Sequence, residues 1–287
     1  MQAIHITHSA PFFAKASNKG RTYEIADFEL LTTIFSALKW RELNGDIRLY
    51  TDSIAREYYK DKNMLELWNS GINTKVLDNI REEIDFEIFW AAGKIYALQN
   101  EKTPCIMMDT DFISWTNISQ FINEESKIIC IHREEIADDV YLPHYLLKTA
   151  PGYEFNPEWD WNEKPCNTAF VYFADEDIKH FYTNEAIRFM ENNLERPREL
   201  VSQMVFAEQR LLAMCAGLKK VKIDSFVKQE ELFTQNSFTH IWGYKRELEQ
   251  ESIKEYSFCQ QVVELLLNNF NESRTMLLDI PVVQKYL

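Results

Sequence analysis

A chain of 287 residues with 46% hydrophobic and 14% aromatic side chains, and few Gly and Pro, can bury a large core, which excludes a disordered or low-complexity protein. A formal charge of −14 argues against a nucleic-acid backbone as partner, because that binding rests on basic patches. Five cysteines without close pairing fit reduced thiols and a cytoplasmic setting.

The first residues carry no basic segment followed by a long apolar run, so no signal peptide is expected. No stretch reaches the roughly 18 apolar residues of a membrane span. Residues 3–8 alternate as a first strand, ended by the turn Ser9-Ala10-Pro11-Phe12. Ile25, Phe28, Leu31, Ile34, Phe35 and Leu38 are spaced for a helix over 23–43, closed by Asn44-Gly45. Residues 47–52 read as a second strand, ending in Thr51-Asp52, and 54–60 begin a helix. A short strand is predicted at 74–77 and a helix at 86–98.

The run Thr103-Pro104-Cys105-Ile106-Met107-Met108 then reads as a buried strand and ends in Asp109-Thr110-Asp111. Further strands are expected at 127–131, 169–173 and 221–223, and helices at 175–192, 200–216 and 256–270. Cys105 and Cys130 fall in apolar runs and read as small core residues. Residues 137–165 lose the period and are rich in Pro, Tyr, Trp and Asn, as expected of an excursion over the carboxyl edge of a sheet. The alternation of strand and helix predicts an α/β fold: a mixed, mostly parallel sheet flanked by helices in a single large domain.

Asp109 and Asp111 sit where a buried strand leaves the sheet, which in α/β folds is where ligand crevices lie. Two such carboxylates repel each other unless a cation or a shared proton relieves them. Hard oxygen ligands suit Mg²⁺ or Mn²⁺, which usually bridge to phosphates. A solvated acidic turn is the other reading of the same two residues.

Later landmarks add to the pair. Asn167-Thr168 precedes the strand at 169–173, Glu208-Gln209 lies on the following helix, and His240-Ile241-Trp242-Gly243-Tyr244-Lys245 comes near the end. With Lys94 ahead of the central strand, this order resembles the GT-A glycosyltransferases of the family-8 and family-32 types, over residues 3–246. The resemblance implies a GT-A-like, nucleotide-sugar-binding domain at 1–250, with 251–287 as a helical extension packed on it. It implies Asp109, Asp111 and His240 as ligands of Mn²⁺ (or Mg²⁺). It implies Gly243 as the point where backbone nears the diphosphate and Lys245 as its neutralising charge. The Gly-to-Lys interval is one residue shorter than the family-8 pattern. Lys94 corresponds to a basic residue facing the nucleotide sugar, and Asn167 to one that bonds donor sugar or acceptor. Glu208-Gln209 stands where the family has Asp-Gln: Glu208 as base, or Gln209 beside the anomeric carbon. Ser9 and Asp52 line the nucleoside pocket by position only.

The activity so implied is transfer of a sugar from a nucleotide-diphosphate sugar, UDP-linked by resemblance, to a glycan or lipid-linked acceptor. Inverting and retaining chemistry both stay open. The final helix leaves peripheral membrane contact open, although it carries few lysines. Two other classes also stay open: a protein that keeps the fold and binds the nucleotide sugar without turnover, and a metal-dependent phosphatase using Asp109 as nucleophile. Structural readings accompany several residues. Glu208-Gln209 reads equally as a solvated helix face, Asn167 as a turn cap, and Tyr153, Trp159 and Trp161 as anchors of their loop.

Overall fold

The computed structural model describes residues 1–193 and 200–287. Among these, β1 (Gln2–Thr7), β2 (Ile47–Thr51), β3 (Ile72–Asn73), β4 (Cys105–Met108), β6 (Ile128–Cys130), β7 (Phe170–Phe173) and β8 (Ile223–Ser225) form one sheet in the order β3-β2-β1-β4-β7-β6-β8. Six of them run one way, and β7 alone opposes its neighbours β4 and β6. β5 (Phe112–Ser114) and β9 (Phe238–His240) make a separate antiparallel pair. The chain is thus an α/β protein with a mixed, mostly parallel sheet, as expected.

The central strands β4, β6 and β7 are apolar on both sides because the sheet is covered on both sides there. Ile106 and Met108 of β4, with Leu49, Ile129 and Phe170, enter one core; Cys105 and Met107, with Ile4, Ile128 and Val171, enter the other. The helix Asp27–Leu43 covers the first face, and the helix Ser252–Asn269 packs against it. Cys259, Val262, Val263, Leu266 and, beyond that helix, Leu277 and Val283 join this core. The helices Ala92–Asn100, Glu176–Glu191 and Leu211–Leu218 cover the second face. All five cysteines are free and buried. Among the described residues, no helix is long and apolar enough to cross a membrane.

Several boundaries differ from the sequence reading. The helix expected at 86–98 is Ala92–Asn100: the Asp85 side chain takes the Glu87 amide at 2.9 Å, and the amides of Ile88 and Ala92 bond three residues back, to Asp85 and Phe89, in tight turns. The strand expected at 74–77 is instead Ile72–Asn73, and Thr74 opens a turn whose carbonyl takes the Asp78 amide. The first long helix starts at Asp27 rather than 23, and the last one at Ser252 rather than 256. The strand at 221–223 lies at Ile223–Ser225, since the Val221 amide closes the preceding helix onto Ala216. The helix over 200–216 is interrupted by a π turn at Phe206–Arg210. In the 137–165 excursion the aromatics do anchor the loop: Trp159 is buried, and Trp161 stacks on Phe206 with centroids 5.5 Å apart.

A buried polar chain ties β1 to the elements of the first core. Trp68 Nε1 donates to His5 Nδ1 at 3.3 Å, His5 Nε2 meets Ser36 Oγ at 3.1 Å, and Ser36 Oγ donates to the Phe112 carbonyl at 2.5 Å. His5 is wholly buried, and desolvation, partly offset by Asp111, takes its pKa down to about 3. A group whose native pKa lies below its unfolded value contributes stability that is present above the unfolded pKa and lost as pH falls. Unfolding free energy should therefore drop by about 2 kcal/mol between pH 7 and pH 5 on this account. Urea titrations at the two pH values measure it. The drop should shrink in His5→Gln, and an equal drop in that variant would assign the effect elsewhere.

Candidate metal and phosphate site

The site begins with the way β4 ends. The Asp109 amide donates to the Ala169 carbonyl at 2.8 Å and the Phe112 amide to the Asp109 carbonyl at 3.0 Å, so the chain turns tightly at Asp109-Thr110-Asp111. β5 follows at once and pairs with β9 in the register Phe112 to His240. That register sets His240 next to the turn. One ligand atom each of Asp109, Asp111 and His240 lie within 4.8 Å of one another, and His240 Nε2 is 3.6 Å from a carboxylate oxygen of either Asp.

Helix Trp242–Gln250 starts two residues after His240, and its first turns carry Gly243 and Lys245. Lys245 Nζ lies 3.1 Å from Asp111 Oδ2 and 3.7 Å from Glu29 Oε1 on helix Asp27–Leu43. Asp111 is 2% exposed, and its Oδ2 is buried with no donor aimed at it in hydrogen-bond geometry, although charge faces it. Burial opposes ionisation of Asp111, but His240 and Lys245 outweigh it and hold the carboxyl well below the usual range. Burial also opposes the Lys245 charge, and Asp111 and Glu29 raise its pKa nonetheless. Two carboxylate oxygens and an imidazole nitrogen around an unsatisfied buried oxygen fit Mn²⁺ or Mg²⁺.

A second ion cluster abuts the first. Lys94 Nζ bonds both Asp109 Oδ1 and Glu208 Oε1, the latter at 2.8 Å, and Thr168 Oγ1 donates to the same Glu208 oxygen at 2.9 Å. Burial disfavours the ammonium, yet the two carboxylates hold the Lys94 pKa well above its ordinary value. Glu208 is buried and lies in the π turn, the kind of local overwinding that often marks functional sites. Gln209 Oε1 accepts from Tyr141 Oη at 2.6 Å. Arg210 donates to the carbonyls of Tyr141, Leu142 and Trp161, so the same turn pins the 137–165 excursion.

Six of the residues singled out from sequence, Lys94, Asp109, Asp111, Glu208, His240 and Lys245, thus form one charged cluster. Asn167 adjoins it through Thr168, with its Nδ2 donating to Glu134 at 2.9 Å. Gly243 lies on the exposed first helical turn with open space where a Cβ would project. Ser9 and Asp52 lie apart, at the ends of β1 and β2, lining a cleft of about 470 Å³ with His8, Phe13, Asp78 and Phe86. There Asp52 accepts from the Ser9 amide and hydroxyl and caps a helix at the Ala55 amide, so its geometry is that of a structural carboxylate. Glu29, Glu134, Tyr141 and the side chain of Thr168 were not singled out from sequence. Each is a common polar residue far along the chain from its partner, and only the fold brings the pair together.

Removing one partner of a buried ion pair leaves an uncompensated charge. Lys94→Met should therefore cost about 3 kcal/mol in unfolding free energy. Adding Glu208→Gln to it should recover part of that loss. Chemical denaturation of the two variants checks this, and a single-variant loss below about 1 kcal/mol would mean that water screens the pair.

The fold is similar to those of several solved structures. Mouse xyloside xylosyltransferase 1 in its apo form is 13% identical, with 79% of this chain and 85% of that one covered and a TM-score of 0.40. The glycosyltransferase GlyE of Streptococcus pneumoniae TIGR4 is 10% identical, with 79% and 45% covered and a TM-score of 0.37. The nucleoside-diphosphate-sugar pyrophosphorylase of Vibrio cholerae RC9 is 14% identical, with 80% and 93% covered and a TM-score of 0.38. No curated protein gives a match to the sequence. The family described as "Family of unknown function (DUF6734)" matches residues 13–280, and the chain belongs to that family.

Proposed function

We propose that the protein is a metal-dependent, GT-A-like glycosyltransferase that takes a nucleotide-diphosphate sugar, with UDP as the nucleotide, and transfers the sugar to a glycan or lipid-linked acceptor. The observation that carries this reading is the convergence of Asp109, Asp111 and His240 within 4.8 Å, with Lys245 at 3.1 Å from Asp111. Three ligands and one ammonium at the carboxyl edge of a mostly parallel sheet suit a divalent cation with a diphosphate. In this reading residues 1–250 are the nucleotide-sugar domain and 251–287 the helical extension upon it.

Asp109, Asp111 and His240 hold the cation, Mn²⁺ or Mg²⁺, which supplies Lewis-acid stabilisation of charge on the departing diphosphate. Lys245 can leave a carboxylate for a phosphate oxygen, and charge there counts more as the bond breaks than before. The open space at Gly243 lets the helix amides approach the same oxygens. Lys94 is held by Asp109 on one side and Glu208 on the other, which fixes its ammonium at the sugar side of the metal ligands. Glu208 is thereby engaged as an ion-pair partner, and Gln209 by Tyr141. These engagements favour a second reading, binding of the nucleotide sugar without turnover, which a product assay separates from the first.

Thermal unfolding with Mn²⁺ and UDP, singly and together, tests the site. Ligand at about 100 times its dissociation constant adds roughly 2.7 kcal/mol, a rise of several degrees for a chain of this size. The rise should need both ligands and vanish in Asp111→Ala. A rise of equal size in that variant, or none in the native protein, would sink the proposal. Gly243→Ala gives an independent check. It should leave the unliganded protein as stable or up to about 1 kcal/mol more stable, since alanine suits a helix better. It should also weaken UDP–Mn²⁺ binding, and unchanged binding would remove Gly243 from the site.

A further inference from the structure

Beyond the charged cluster, the same sheet edge carries a second polar group. His132 and Glu134 follow β6, and this stretch runs antiparallel to Cys166 and Asn167 ahead of β7. Glu134 Oε1 takes two contacts: His132 Nε2 lies at 3.1 Å, and Asn167 Nδ2 donates at 2.9 Å. Both bonds converge on one oxygen. Among the described residues Oε2 has no hydrogen-bond partner, and the side chain is 22% exposed. Burial works against its charge, but His132 and Asn167 lower the Glu134 pKa, so the group is a carboxylate at neutral pH.

His132 is almost fully buried, and its Nδ1 has no partner. Burying an imidazole with one nitrogen unpaired is unfavourable for stability alone, and an apolar ring would fill the same space. The residue is therefore better explained by what it does to Glu134: it helps fix the carboxylate through one oxygen and leaves the other without a partner.

The spacing fits a definite role. β6 is two strands from β4, with β7 between them. Asn167, whose Nδ2 holds Glu134, also accepts from the Ala169 amide through Oδ1 at 3.2 Å, and the Ala169 carbonyl takes the Asp109 amide, so one asparagine joins the Glu134 carboxylate to the Asp109 turn. A sugar carried on a diphosphate at that turn would lie over Asn167-Thr168, and its far side would face Glu134. Carboxylates with one free oxygen are strong acceptors for sugar hydroxyls.

We infer that Glu134, oriented by His132 and Asn167, is the binding group for a hydroxyl of the acceptor, and that the acceptor is a sugar or glycoside seated at the end of β6. This rests on the glycosyltransferase reading for the word acceptor, while the sugar site itself is tested by binding alone.

The test is saturation-transfer NMR on the full chain with a panel of p-nitrophenyl glycosides, in the presence of UDP and Mn²⁺ and in their absence. At least one glycoside should give a signal with the native protein, and its affinity should fall about tenfold or more in Glu134→Gln, which removes the charge and keeps the shape. His132→Phe should weaken the same glycoside, and His132→Gln, which restores an N–H donor, should recover it; a merely structural histidine would show no such recovery. UDP–Mn²⁺ thermal stabilisation should be unchanged in all three variants. No glycoside signal in the native protein, or equal affinity in Glu134→Gln, overturns the inference. Glycoside binding that depends on Glu134 without any UDP–Mn²⁺ effect would uphold the sugar site and overturn the donor reading instead.

Discussion

Four carboxylates, Asp109, Asp111, Glu208 and Glu29, are brought to one edge of the sheet, and two of them, Asp111 and Glu208, are buried. Like charges so placed repel strongly in a medium less polar than water. They coexist because Lys94 lies between Asp109 and Glu208, and Lys245 between Asp111 and Glu29. Each ammonium therefore joins elements far apart in sequence: the helix before β4 to the π turn, and the helix after β9 to the first long helix. The ion pairs at this edge do not add much net stability, since burying charge costs about what pairing returns. What they add is a fixed arrangement.

That arrangement depends on backbone register as much as on charge. His240 reaches the Asp pair only because β5 and β9 pair Phe112 with His240. β5 in turn is held by the hydrogen bond from Ser36 to the Phe112 carbonyl, and Ser36 by His5 at the centre of the first strand. A slip of one residue in a strand turns every side chain to the other face. The buried polar chain from Trp68 to Phe112 gives this short strand a partner on a rigid helix, which three ladder residues alone do not supply.

The central strands β4, β6 and β7 were legible because their residues are apolar on both faces and short, whereas the edge strands β3 and β8, with polar residues and partial exposure, were misplaced. The Asp-x-Asp turn was legible as a functional candidate because two carboxylates after a buried strand are physically awkward. His240, Lys245, Lys94 and Glu208 were singled out through the resemblance to the GT-A glycosyltransferases, with the Gly-to-Lys interval one residue shorter than the family-8 pattern. Other features left no local mark. β5 and β9 are three residues each and look like loop until they meet. The π turn at Phe206–Arg210 has an ordinary helical composition. The helix predicted from Phe86 begins at Ala92, and the Asp85 side chain takes the Glu87 amide ahead of it, a local turn that apolar spacing does not record. Glu134 and His132 are two residues apart in a stretch without period, and their meaning comes from Asn167, which is 33 residues away.

The charge count at the edge bears on how it meets a ligand. Four carboxylates set against two ammonium groups, with His240 left out of the count, leave a formal charge of minus two. The whole chain carries −14. An edge of that sign attracts a divalent cation and repels a free nucleotide diphosphate, and low-dielectric walls strengthen both effects. Affinity for an anionic donor is then coupled to occupancy by the cation, in either order of arrival, because each lowers the electrostatic cost of the other. Lys245 is the hinge of that coupling. It is paired to Asp111 and Glu29 when no anion is near, and a cation beside Asp111 weakens the first of those pairings. In the proposed function the ammonium would then be free to turn toward phosphate charge, so the same side chain would balance the carboxylates first and the donor afterwards.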